Sequence, residues 1–128
     1  QIEQLHGLYQ REWWTCSRTL DDTRLAVRNS SLILGFVEPE SGRLVAFCRL
    51  LTDFVFRATL YDVIVADDWR RRGLGRKLMD AVDSHPRLQR VSVTWLGCAP
   101  DKVAFYERWG FTVFAEEPKW MLKARREG

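Results

Sequence analysis

Between Leu60 and Leu78 the sequence reads Leu-Tyr-Asp-Val-Ile-Val-Ala-Asp-Asp-Trp-Arg-Arg-Arg-Gly-Leu-Gly-Arg-Lys-Leu. A strand pattern through Val63, Ile64 and Val65 gives way to an arginine-rich turn with two glycines, then to helical spacing at Leu74, Leu78, Met79 and Val82. A helix start leaves several backbone N–H groups unpaired and carries partial positive charge, so it attracts anions. Gly73 and Gly75 flank Leu74 at that start, where side chains would obstruct the approach of a diphosphate to the backbone. Arg70, Arg71, Arg72, Arg76 and Lys77 add the positive charge that several phosphates call for. A solvated basic loop before an ordinary helix has the same composition and is the plain alternative. Spacing removes two others: a nucleoside-triphosphate loop needs four residues between its glycines and then Gly-Lys-Ser/Thr, and a dinucleotide fingerprint needs a third glycine where Leu78 stands.

Asp62 lies on the apolar strand just upstream. A carboxylate there is costly unless paired or reached by water, which makes it a proton acceptor, half of an ion pair or a cap bonded to a loop. Asp53, in the preceding segment, is the second candidate base. Trp13, Trp14, Phe54, Phe56 and Trp95 are aromatic enough to line a pocket and equally suited to a core. His6 and His85 lack metal-ligand spacing, and no Ser or Cys stands in a nucleophile elbow. No metal is expected on that spacing, and direct attack fits better than a covalent intermediate, since nothing in the sequence near Cys98 activates its thiol.

These residues need a scaffold. Ile2, Leu5, Leu8 and Tyr9 predict an amphipathic helix whose apolar side Trp13 and Trp14 close, and Asp21 or Asp22 is expected to cap a short second helix ended by Asn29 and Ser30. Leu32 to Val37 and Arg43 to Leu51, joined by Pro39-Glu40-Ser41-Gly42, predict an antiparallel hairpin. Thr59 to Val65 is a third strand, and Val91 to Leu96 follows a helix stopped by Pro86. Val103 to Trp109 suits a helix ended by Gly110, after which Phe111 to Phe114 and Trp120 to Leu122 are expected to complete the sheet. The sum is an α/β fold, a mixed, mostly antiparallel sheet of about six strands flanked by helices, in one domain over residues 1–128.

Composition agrees. The chain has 128 residues, 46% apolar and 12% aromatic, enough to build a core without staples. Its 20 basic against 17 acidic residues leave +3, too small a surplus to imply a nucleic-acid surface without clustering. Cys16, Cys48 and Cys98 fit no disulfide framework and read as reduced thiols in a cytoplasm. No apolar stretch approaches the roughly 18 residues a membrane span needs. A start at Gln1 rather than methionine suggests trimming, and no secretory signal opens the chain.

Arg70-x-x-Gly73-x-Gly75 between a strand and a helix resembles the cofactor signature R/Q-x-x-G-x-G/A of the GNAT acetyltransferase superfamily. Downstream, Phe105-Tyr106-Glu107-Arg108-Trp109-Gly110-Phe111 is similar to that family's helix ending F-Y-x-x-x-G-F, and the two motifs in this order are more specific than either alone. The resemblance runs from the hairpin to Phe111; the family's first strand has no counterpart, consistent with a trimmed start. It implies acetyl-CoA as co-substrate, with its pantetheine arm laid along Val63 to Val65 like an added strand and its diphosphate on backbone N–H groups from Arg71 through Leu74 to Arg76. It implies that a strand N–H at Ile64 or Val65 stabilises the oxyanion, and that Tyr106 protonates the departing thiolate. A primary amine with a pKa of about 10.4 must lose a proton before it attacks, which turns Asp62 into a candidate general base. One departure stands out: Ala99 occupies the position where many family members carry an asparagine against the pantetheine arm.

The expected activity is therefore acetyl transfer to a small-molecule or protein-lysine amine. Two rivals remain: a non-catalytic acyl-CoA-binding regulator, and a nucleic-acid surface built from Arg70 to Arg72 with Lys123, Arg125 and Arg126. A terminal strand around Trp120 would offer an edge for a homodimer.

Overall fold

The structure is a computed structural model that describes residues 1–125. The chain divides into two compact units, residues 1–97 and the segment from Cys98 onward. The first unit holds α1 (Ile2–Gln10), α2 (Leu20–Arg28), β1 (Leu32–Val37), β2 (Leu44–Thr52), β3 (Arg57–Val65), α3 (Leu74–Asp83) and β4 (Val93–Leu96). One sheet runs in the order β1-β2-β3-β4, antiparallel at the first two pairings and parallel at the third.

Local chemistry accounts for the elements. Thr19 caps α2 by accepting the Asp22 N–H, so the cap lies just upstream of the predicted aspartates, which occupy the first turn where the helix dipole favours negative charge. Gly42, at φ 70°, closes the β1–β2 hairpin. In the β2–β3 turn Asp53 accepts the N–H groups of Val55, Phe56 and Arg57 at 2.9, 2.7 and 3.1 Å, and these backbone bonds hold its carboxyl below the usual range. The candidate base Asp53 is thus a turn cap.

The core is built from α1 against the sheet: Leu5, Leu8 and Tyr9 bury against Leu44, Val45, Phe47, Ile64 and Ala66. α3 buries Leu78, Met79 and Val82, each stabilising the fold by roughly 1.5–3 kcal/mol. Trp13 does not close the apolar side of α1, because the helix ends at Gln10 and the following turns carry that ring out to 85% exposure.

The second unit contains α4 (Val103–Glu107), preceded by a 3-10 turn at Pro100–Lys102. The expected strands at 111–114 and 120–122 do not form, so the described sheet has four strands rather than about six. Residues 112–125 are exposed, which leaves a strand there no buried face, and Pro118 removes a ladder donor. No helix of the described residues is long and apolar enough to cross a membrane.

Candidate functional site

The pairing of β2 with β3 is in register at Arg49↔Tyr61 and again at Phe47↔Ile64, so Asp62 and Val63 together oppose Cys48. This is a β-bulge, and Asp62 holds it at φ 58°, a conformation aspartate tolerates better than most residues. The bulge carries the carboxylate to a side-chain exposure of 3%, where three donors converge on Oδ2. They are the Tyr9 hydroxyl at 2.8 Å, Arg18 Nη1 at 2.8 Å and Arg49 Nε at 2.7 Å. Burial opposes the charge, but the hydrogen bonds from Arg18, Arg49 and Tyr9 outweigh it and hold the Asp62 carboxyl below the usual range. Burial and the Asp62 charge push the Tyr9 phenol up, and burial then Asp62 push the Cys48 thiol up to about 12. Asp62 thus stands in the ion-pair arrangement, a carboxylate whose Oδ2 takes all three donors.

The sequence alone does not mark its partners, which come from positions 9, 18 and 49. Tyr9 reads as helix packing, yet Arg49 interrupts an otherwise apolar β2 one register step from Asp62, which is the pattern of a cross-strand charge pair.

Past the bulge, β3 has an open edge. β4 pairs with it only as far as Leu60↔Leu96. The Ala66 N–H donates to the Val45 carbonyl, so Val65, one residue earlier, directs its N–H and carbonyl to the opposite side, the side β4 has left. Of the two oxyanion candidates, Val65 rather than Ile64 faces that edge. The Val65 carbonyl there accepts from Arg70 Nε at 3.3 Å.

The edge leads directly to the glycine turn. Gly73 is the N-cap of α3 at φ 80°, with no side chain capping it, and the first helical bond runs from Lys77 N–H to the Gly73 carbonyl at 3.0 Å. The N–H groups of Leu74, Gly75 and Arg76 are the ones a helix start leaves without an intrahelical partner. Arg71, at φ 66°, and Arg72, Arg76 and Lys77 are exposed around the turn; the Arg72 guanidinium lies 4.4 Å over the Trp69 ring. Arg70 is engaged with Glu12 and Asp67. A Cβ on Gly73 would meet nothing within 4 Å, so φ rather than space is what calls for glycine there. Gly73→Ala is expected to lower folding stability by about 1 kcal/mol, read as a lower urea midpoint with unchanged slope.

In the second unit, Tyr106 sits half-buried on α4, edge-on to Phe105 at 5.0 Å and to Phe111 at 6.2 Å, and Gly110 at φ 87° ends the segment. Of the other aromatic candidates, Phe56 is 64% exposed while Phe54 and Trp95 are half-buried. Of the basic tail, Lys123 and Arg125 are exposed, and Arg126 lies outside the described residues.

Comparison with known proteins follows the same lines. The family model of the acetyltransferase (GNAT) domain matches residues 21–113. The chain is 33% identical over 112 residues to the uncharacterized N-acetyltransferase ycf52 of Porphyra purpurea, covering 86% of this chain and 64% of that protein, so it spans just under two thirds of that relative. A crystal structure from Xanthomonas campestris pv. campestris assigned to the GNAT family matches with a TM-score of 0.78 at 33% identity, covering 94% of this chain and 85% of the other. An aminoglycoside 6'-N-acetyltransferase complexed with coenzyme A shares the fold, with a TM-score of 0.70 at 16% identity over 89% of this chain and 79% of its own. With the family model covering well over half of the residues, and with a bulged strand opening onto a glycine-started helix, the chain belongs to the GNAT acetyltransferase family.

Proposed function

We propose that this protein transfers the acetyl group of acetyl-CoA to a primary amine by direct attack in a ternary complex. The observation that carries the reading is the open edge of β3 beyond Leu60 running into the uncapped amides of α3. An extended pantetheine arm fits that edge as an added strand along Val63 to Val65, and a diphosphate fits the amides from Arg71 to Arg76, where helix-start charge and nearby guanidiniums favour an anion. A coenzyme A complex of a protein sharing this fold supports the same ligand here.

The Val65 N–H is the donor offered to the oxyanion of the tetrahedral intermediate. The amine, having given one proton to solvent, attacks the thioester carbonyl; the C–N bond forms as the C–S bond breaks, Tyr106 gives its proton to the leaving sulfur, and the second nitrogen proton returns through water to the phenolate, the role of Tyr106 being supported by its place in the Phe105-Tyr106 motif. Asp62 is assigned a different part from that of base. A buried carboxylate held below its ordinary pKa by three donors is a weak proton acceptor, and its position suits it to fixing the bulge that opens the edge.

Thiol release measured with acetyl-CoA and a panel of amines (2-phenylethylamine, a lysine peptide, spermidine, an aminoglycoside, an amino acid) tests this. Turnover with at least one amine is expected; no turnover together with no coenzyme A binding would overturn it. At 100 times its dissociation constant, acetyl-CoA is expected to raise folding stability by about 2.7 kcal/mol. The second reading, an acyl-CoA-binding regulator, is favoured by Ala99 and by the engaged state of Asp62. It predicts the same stabilisation with no turnover across the panel.

A further inference from the structure

Arg70 opens the Arg70-x-x-Gly73-x-Gly75 segment, yet its Nε and Nη2 donors are committed to a strand carbonyl and to two carboxylates. Nε donates to the Val65 carbonyl at 3.3 Å, and Nη2 pairs with Glu12 at 2.5 Å and with Asp67 at 3.1 Å. Glu12 is the sheltered partner, with a side-chain exposure of 18% against 51% for Arg70. It belongs to the connection between α1 and α2, which is closed upon itself. Gln10 Nε2 donates to the Arg18 carbonyl at 3.0 Å, Thr15 Oγ1 to the Tyr9 carbonyl at 2.8 Å, and the Thr15 N–H to the Glu12 carbonyl at 3.2 Å. Both ends of this connection, Tyr9 and Arg18, grip Asp62. The connection is therefore tied to β3 at two places: at Asp62, and through Glu12 and Arg70 at the Val65 carbonyl. Trp13 and Trp14 ride on the tied segment with their rings 85% and 37% exposed.

We propose that Arg70 is a positioning residue rather than a phosphate ligand. With Glu12 as its partner, it anchors the Trp13–Trp14 turn beside the open edge of β3, where that turn sets affinity for the amine. The inference rests on the acetyl-CoA reading above. The charge that meets the phosphates then comes from Arg71, Arg72, Arg76 and Lys77, exposed residues of the turn and the first helical positions.

Three variants, Arg70→Ala, Glu12→Gln and the double variant, test this in the full chain. Calorimetry with coenzyme A, steady-state kinetics with the best amine of the panel, and amide hydrogen exchange over residues 11–18 supply the readouts. Each single change is expected to raise the amine KM about fivefold with kcat held within about twofold, and to speed exchange at 11–18, with the double variant no worse than either single because both break one tie. Coenzyme A affinity is expected to stay within about threefold throughout, whereas Arg72→Ala, a change at a phosphate-side charge, weakens it. The inference is overturned if Arg70→Ala weakens coenzyme A about tenfold or more while Glu12→Gln leaves or tightens it, which is the behaviour of a direct phosphate contact. It is overturned equally if the amine KM does not move. A wild-type chain that neither binds coenzyme A nor turns over any amine removes the underlying reading, and this inference with it; binding and turnover with the wrong variant pattern removes this inference alone.

Discussion

Asp62→Ala is expected to cost roughly 3–5 kcal/mol of folding stability, the largest effect of any single change outside the apolar core. The change takes away the carboxylate shared by Arg18 and Arg49, whose side chains are 20% and 13% exposed, and the acceptor of the buried Tyr9 hydroxyl. Tyr9→Phe, which removes one donor and leaves both ion pairs, is expected to cost less than half as much. The pH dependence has a definite sign. Because the folded pKa of Asp62 lies below the unfolded value of about 3.9, its contribution is fully present above that value and is lost as pH falls through the folded pKa. Urea unfolding at pH 7 and in acid checks both parts. The wild-type chain should lose more stability on acidification below about pH 4 than Asp62→Ala does. A loss under about 1 kcal/mol at pH 7 would mean that the cluster is no better than a surface ion pair.

Tyr106→Phe is expected to lower kcat about 100-fold near neutral pH while leaving coenzyme A affinity unchanged, since it removes the proposed proton donor and keeps the ring. That places it at the low end of general-acid effects, because a thiol with a pKa of about 8.5 leaves with modest help. The deficit should therefore shrink as pH rises toward that value. Stopped-flow acetyl transfer across pH 6.5–9, on the scale of that thiol pKa, measures it. An unchanged kcat would assign the phenol to packing against Phe105 and Phe111.

Much of this was legible in the residues. The hairpin, the third strand and α3 follow from period-two and period-3.6 apolar spacing, and Gly73 marks its own turn because a helix start at positive φ admits little else. What stayed hidden depends on distance along the chain. Asp62 draws its partners from positions 9, 18 and 49, and no local pattern states that α1 and the segment before α2 will converge on a bulge in β3. The commitment of Arg70 to Glu12, 58 residues upstream, is of the same kind. The two missing strands show the opposite failure. Phe111 to Phe114 and Trp120 to Leu122 have strand composition, but propensity does not hold a strand that lacks a face to bury.

Amide chemical shifts measured by 15N–1H correlation during a coenzyme A titration test the central claim most directly. The backbone signals of Leu74, Gly75 and Arg76 at the start of α3, and of Val65 on the open edge, are predicted to move together and saturate with one dissociation constant. Saturable binding that leaves those four amides unmoved, or no binding at all, would contradict the placement of the cofactor on which the proposed chemistry depends.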